Sequence, residues 1–381
     1  MFGKRITLFK LFGFAVRIDV SWGVVAVLIT WSLAEGFFPL QHRDFSTLTY
    51  WLMGGTGALG LFASIIFHEM SHSLVARRYD LPIKGITLFI FGGVAEMDDE
   101  PKRPKVEFLM AVAGPISSLL LGAGFYLAFL LGGRSGWPQP INGVIGYLSL
   151  INFFLAVFNL IPAFPLDGGR VLRSLLWGWK KDIQWATRIA SMLGSGFGLL
   201  LLFLGGVNLL QGNGVGGIWQ FLIGLFLRNA AKMSYQQVVM RKTLGGEPVG
   251  RLMRPDPIAV SPFTSLERLV EDYLYRYHFK TFPVVQDGKL VGCIDLEQIK
   301  ALPRPEWGRL QVGDLMKRCP PEKMISPDLD AMQALSKMNR EHVSRLWVAE
   351  GDRLVGMVSL KDLLRFLSIR AELNQSDRRA A

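Results

Sequence analysis

Residues 50–76 read YWLMGGTGALGLFASIIFHEMSHSLVA, a stretch apolar enough to cross a bilayer that nevertheless carries His68, Glu69 and His72. On a helix, positions i and i+4 share a face, so the two imidazoles can clamp one zinc ion while Glu69 sits one residue round as a general base. Two histidines and a carboxylate are expensive to bury in lipid without a function that uses them. HExxH alone is a short pattern that recurs by chance in unrelated helices. Its setting inside a span argues for a metal site.

The rest of the chain agrees with a membrane setting. Half of its 381 residues are hydrophobic and the mean hydropathy is +0.30, too apolar for a soluble protein of this length. Apolar runs predict about six membrane-spanning helices, near residues 20–40, 50–76, 106–131, 141–161, 186–210 and 214–231. The net charge of +11 calls for no nucleic acid partner, because its basic residues border the apolar runs. Lys4, Arg5, Lys10 and Arg17 precede the first run. Arg77, Arg78, Lys84, Lys102, Arg103 and Lys105 lie between the second and third, and Arg170, Arg173, Lys180, Lys181 and Arg188 between the fourth and fifth. The opposite loops hold little beyond Arg43 and Arg134. This bias predicts a multi-pass protein of the cell membrane with both termini cytosolic, and the basic, mixed N-terminus shows no cleavable signal peptide. The second and fourth spans then both run inward and deliver their polar ends to one depth.

Between the second and third spans, residues 86–91 read as a strand, Gly92-Gly93 as a turn and 94–97 as a return strand. Such a hairpin offers a free edge to an extended peptide, which makes Ile86, Thr87, Leu88, Phe89, Gly92 and Gly93 candidate substrate-binding residues.

Catalytic zinc takes three protein ligands and keeps an open position. The five histidines are His42, His68, His72, His278 and His342. The last two lie in the polar C-terminal third and His42 lies on the opposite side by the charge argument, so a carboxylate is the better third ligand. Asp167 is the outstanding candidate. It sits in residues 159–170, NLIPAFPLDGGR, where two prolines end the fourth span and two glycines free the backbone. Irregular backbone at membrane depth must be buried in protein or line a wet cavity.

HExxH in one span and NxxPxxPLDGG in a later one resemble the paired signature of the site-2 protease family of intramembrane zinc metalloproteases. Residues 91–94 (FGGV), 113–115 (AGP) and 13–16 (GFAV) also look like that family, and the resemblance covers roughly residues 5–235. It implies one zinc ion per chain on His68, His72 and Asp167, with Glu69 as the catalytic acid/base. It implies cleavage of transmembrane segments of membrane-protein substrates within the lipid bilayer, that is, regulated intramembrane proteolysis. Asn152 and Asn159 match polar positions that flank the family's site; helix–helix hydrogen bonding is their structural alternative.

Beyond Met240 the composition turns soluble and α/β. Residues 249–254 (VGRLMR) return as 312–317 (VGDLMK), and 290–296 (LVGCIDL) return as 354–360 (LVGMVSL), an offset of 63 to 64 residues. Each copy reads as an amphipathic helix (266–277 and 330–340) followed by two short strands. The repeat resembles a tandem pair of CBS domains. The expected fold is therefore a polytopic α-helical membrane protein with a membrane-associated β-hairpin, followed by a soluble α/β tandem CBS module. Its parts are a protease domain at 1–240, repeats at 245–304 and 308–370, and a polar, mobile tail at 371–381.

CBS pairs often bind adenine nucleotides through a Gly, two apolar residues and Ser/Thr-x-x-Asp. The second copy matches at Gly356, Ser359 and Asp362, which makes Ser359 and Asp362 candidate residues for ATP, ADP or AMP. The first departs, with Asp295 for the hydroxyl residue and Gln298 for the acid. The resemblance thus implies a cytosolic regulatory module with at most one working cleft, or a homodimerisation module. Cys293 and Cys319 lack metal-type spacing and read as two separate thiols in a reducing compartment. CBS pairs also regulate ion transporters, so the alternative is a CBS-regulated membrane transporter or channel. Here, however, the intramembrane polarity concentrates at one depth instead of running along several spans.

Overall fold

A computed structural model describes residues 5–81, 83–89, 92–97 and 101–380. Two strands, β1 (Arg5–Leu11) and β2 (Phe14–Asp19), lead into the first helix. Asp19 starts that helix by accepting from Ser21 N, and Ser46 starts the second by accepting from Thr49 N. These helices are α1 (Ser21–Gln41) and α2 (Thr47–Arg78). After β3 (Ile83–Phe89) and β4 (Gly92–Met97) come α3 (Pro104–Arg134), α4 (Gln139–Asn159), the shorter α5 (Asp167–Lys180), α6 (Ile183–Leu210) and α7 (Gly214–Leu244).

Among the described residues, five helices are long and apolar enough to cross a membrane: α1, α2, α3, α4 and α6. The sixth expected span is helical, but α7 continues through Arg228, Lys232, Arg241 and Lys242 and is not one of the five. Helix α3 packs against α2, α4 and α5 and so forms the middle of this part. Close approach comes from small residues, since lipid supplies no hydrophobic drive between helices. Gly54 of α2 faces Thr30 O and Ala34 of α1, and Gly57 and Gly60 face Tyr147 and Leu148 of α4.

The N-terminal sheet corrects the expectation of a lone hairpin. Its order is β1-β2-β3-β4, with β2 and β3 parallel. Strand β3 is therefore paired on both sides, and Ile86, Thr87 and Leu88 have no free edge. Among the described residues, the open edge on that side belongs to β4. Gly92 and Gly93, expected to turn the chain, instead pair with Phe89 and Leu88 within the sheet. Ile90 and Phe91 lie outside the described residues. Arg77, at the end of α2, donates to Phe12 O at 2.7 Å and lies 5.0 Å over the Phe14 ring, which ties the sheet to the helix carrying HExxH.

The chain divides into residues 1–238 and 239–381. In the second part, β6 (Thr281–Gln286), β7 (Lys289–Asp295), β9 (Arg345–Glu350) and β10 (Arg353–Ser359) share one six-stranded sheet in the order β6-β7-β10-β9-β8. The short β8 (Met324–Ile325) is its edge, and β5 (Arg254–Pro255) pairs with β10. The leaders of the two repeats are exchanged. Val249, Leu252 and Met253 pack in the core of the second copy, whereas Val312, Leu315 and Met316 pack in that of the first. This exchange explains the cysteines, which are not separate thiols. Lys317 pairs with Cys293 through both backbone groups, Cys319 follows two residues later, and the two cysteines are joined with their Cα atoms 5.0 Å apart. Residues 371–380, expected to be a mobile tail, continue the last helix, Leu360–Ala380; the run lacks Gly and Pro and is rich in helix formers.

Candidate metal centre

Helix α2 presents His68 and His72 one turn apart toward α3 and α5. Both are buried, and their rings lie 4.8 Å apart at 79°. His72 Nδ1 donates to Met110 O of α3 at 2.6 Å. A carbonyl only accepts, so Nδ1 carries the proton and Nε2 keeps its lone pair. His68 Nδ1 lies 2.9 Å from Ser118 Oγ of the same helix, and a hydroxyl accepting there selects the same tautomer. The two Nε2 atoms converge on Asp167 Oδ2 at 3.0 and 3.1 Å.

The donor set fits zinc. One atom each from His68, His72 and Asp167 lies within 4.8 Å of the others, all three residues are buried, and three N/O donors are the catalytic pattern. Ligands about 2 Å from a shared tetrahedral centre lie about 3.3 Å apart, close to the 3.0 and 3.1 Å that separate the two Nε2 atoms from Asp167 Oδ2. Gly114 of α3 is bare where the imidazoles meet: a Cβ there would lie 2.6 Å from His68 Nε2 and closer still to His72 Nε2.

Asp167 opens α5, where the backbone N–H groups of a helix start favour a carboxylate. Its glycines serve closeness, not conformational freedom. Gly168 and Gly169 are helical without positive φ, and a Cβ on them would strike Leu160 O and Ile161 O, or Phe164 N. The returning loop can fold tightly under the helix only if both side chains are missing. Glu69 stands outside the trio, half-buried beside His68, and the charge of Arg170 reaches both Glu69 and His72.

The two asparagines differ. Asn152 is fully buried and donates to Ser64 Oγ of α2 at 2.9 Å and to Leu148 O at 2.8 Å, tying α4 to α2 one turn before His68. Asn159 donates within its own helix, to Leu155 O at 2.9 Å. Ser118, the Met110 carbonyl and Gly114 are the functional groups that sequence reasoning did not single out as site residues. Apart from the family-like AGP at 113–115, their signal is the helical spacing of 110, 114 and 118, which becomes meaningful only once α3 is known to face α2.

In the second part, Asp362 accepts from Ser359 N at 3.0 Å, from Ser359 Oγ at 2.5 Å and from Arg254 Nε at 2.8 Å. Burial pushes this carboxyl up, but the hydrogen bonds from Ser359 and Arg254 outweigh it and hold the carboxyl below its ordinary value. Arg254 belongs to the exchanged leader, so both repeats build this corner. At the equivalent corner of the first copy, Asp295 caps the helix through Gln298 N, and the Gln298 side chain donates to Leu315 O at 2.6 Å. There the departures from the nucleotide signature serve local structure.

Peptidase family M50 matches residues 56–135 and 134–204, and the CBS domain matches 249–302 and 312–369. The chain is 32% identical over 369 residues to zinc metalloprotease MJ0392 of Methanocaldococcus jannaschii, covering 96% of each. It is 32% identical over 372 residues to Rip3 of Mycobacterium tuberculosis, covering 96% of this chain and 93% of that one. Among solved structures, the site-2 protease of Methanocaldococcus jannaschii is similar at 31% identity and a TM-score of 0.44, over 61% of this chain and 95% of that one.

Proposed function

Because this chain belongs to peptidase family M50, the site-2 protease zinc metalloproteases, and carries tandem CBS domains, we propose that it cleaves transmembrane segments of membrane-protein substrates. The observation that carries the reading is the buried convergence of His68 Nε2 and His72 Nε2, on a span-length apolar helix, with Asp167 Oδ2 at the start of the shorter α5. A zinc ion held there supplies Lewis acidity toward the scissile carbonyl and the attacking water. Glu69 takes the proton that water loses and returns it to the leaving amine as the C–N bond breaks. Ser118 and Met110 O keep the imidazoles in the ligating tautomer. A helical substrate hides its peptide bonds, so it must unwind locally. The free edge of β4, on a sheet packed against α2, supports capture of such a segment as an added strand.

Both termini and the CBS module then face the cytosol, as the charge bias indicates. The module responds to adenine nucleotide at Ser359 and Asp362, and a ligand there shifts activity by preferring one of two arrangements of the module. The transporter alternative gives way to the family membership.

Glu69→Gln, purified in detergent, tests the enzymatic reading. It should retain wild-type zinc content and lose about 10²–10⁴ or more in the rate of cleaving a transmembrane substrate. Cleavage at the wild-type rate would overturn the assignment.

A further inference from the structure

Helix α3 braces two of the three metal ligands from behind, through Met110 O on His72 and Ser118 Oγ on His68. The third ligand arrives on a different element, and the two motifs do not say what holds it in register with the imidazoles. We propose that a buried ion pair, Glu107 with Arg173, is the third brace and sets where Asp167 lies relative to the histidines; the proposal rests on the zinc reading above.

Glu107 is in the first turn of α3, at 0% exposure, and precedes Met110 by three residues and Gly114 by seven. It therefore shares the face that contacts the ligands. One oxygen, Oε1, accepts from both Nε (2.6 Å) and Nη2 of Arg173 on α5. The Arg173 side chain, 5% exposed, reaches back toward the start of its helix, as helical side chains do. Its guanidinium lies 5.0 Å over the ring of Phe164, three residues before Asp167. Phe164 is itself pinned: its N–H donates to Ala190 O of α6 at 3.2 Å, and its carbonyl fills the space left by Gly194.

The guanidinium is thus gripped between a carboxylate on the bracing helix and a ring in the loop that delivers the ligand. Holding two helices together does not call for this. Well-packed apolar residues do so without desolvating two charges, and Glu107 Oε2 is buried with no hydrogen-bond partner among the described residues, a further cost. The planar fork of arginine gives direction, and direction is what a ligand-bearing helix end requires. Arg173 and Glu107 are positioning residues here; neither touches the ligand atoms.

The test uses full-length protein in detergent and measures zinc affinity by competition with a chelator, together with thermal unfolding and separate kcat and KM. Arg173→Lys keeps the charge and loses the fork and the stacking. The double change Glu107→Gln with Arg173→Met removes both charges, so that none is left buried and unpaired. Both should bind zinc about 10–100-fold more weakly, the usual loss when the support of a metal ligand is removed. Unfolding should stay near wild type, with kcat reduced and KM unchanged. Folded variants with wild-type zinc affinity would overturn the proposal, as would zinc loss only in step with lost thermal stability. Misfolding of both variants would also overturn it, by making the pair a structural clamp. Failure of the wild type to bind zinc would bring down the metal reading itself, and this proposal with it.

Discussion

Gly114→Ala sets two physical effects against each other on one helix. Replacing glycine by alanine inside a helix ordinarily stabilises it by about 1 kcal/mol, because it removes backbone entropy from the unfolded chain. At Gly114 the added methyl would lie 2.6 Å from His68 Nε2, where ordinary contact begins near 3.4 Å, so that ring alone must retreat by about 0.8 Å. His72 must retreat further. Metal–ligand distances hold to within about 0.2 Å of their ideal values, so displacements of this size disturb coordination. Zinc affinity should therefore fall by at least 10–100-fold, and cleavage by about 10²-fold from misplacement alone. Overpacking costs about 1–3 kcal/mol and should cancel the helix gain, leaving thermal stability unchanged or lower. Gly124 lies on the same helix with nothing within 4 Å of a Cβ, so Gly124→Ala is the internal control. It should keep zinc, keep activity and gain the propensity term. Chelator competition and a cleavage assay on the two purified proteins decide the matter. If Gly114→Ala binds zinc and cleaves as Gly124→Ala does, the bare face of α3 does not meet the ligands as described.

Ser118→Ala removes the partner of His68 Nδ1 and should weaken zinc binding about 10-fold with the fold intact; equal affinity would deny Ser118 an orienting role. Single prolines at Val94 and Ala95 each delete one β4 donor, and the one facing the open edge should lower cleavage at limiting substrate with zinc retained. Thr87→Pro should instead lower thermal stability, because β3 is paired on both sides. Asp362→Ala should weaken adenine-nucleotide binding to the full-length protein by calorimetry, whereas Gln298→Ala should not. No heat from the wild type at millimolar nucleotide would leave the repeats as a dimerisation module. Because the carboxyl of Asp362 titrates below its ordinary value of 3.8, its pairing with Arg254 is complete above that value and is lost as pH falls below it. Binding should therefore be flat from roughly pH 5 upward, and a loss between pH 7 and 5 would assign the pH response to another group.

The chemistry of the metal site was legible because it is local. Histidines four apart on a helix share a face whatever surrounds them, and a span too apolar for chance polarity marks them as functional. Asp167 was singled out as the candidate third ligand by elimination among few candidates and by its prolines, and it lies within reach of both histidines. The 63–64-residue repeat likewise announced two equivalent units, because it lies in the order of residues alone.

What tertiary structure decided is every relation between distant segments. The free edge moved from β3 to β4 because β2 arrives in parallel from the N-terminus, which no pattern within 83–97 records. The cysteines are 26 residues apart and joined, because each repeat lends its leader to the other. Gly168 and Gly169 read as backbone freedom in sequence, yet in space they, like Gly114, are places where a Cβ would collide. Residue order fixes which groups share a helix face or a strand. Which face meets which is a property of packing, and it alone brought Asp167 and the supports from α3 to the two histidines.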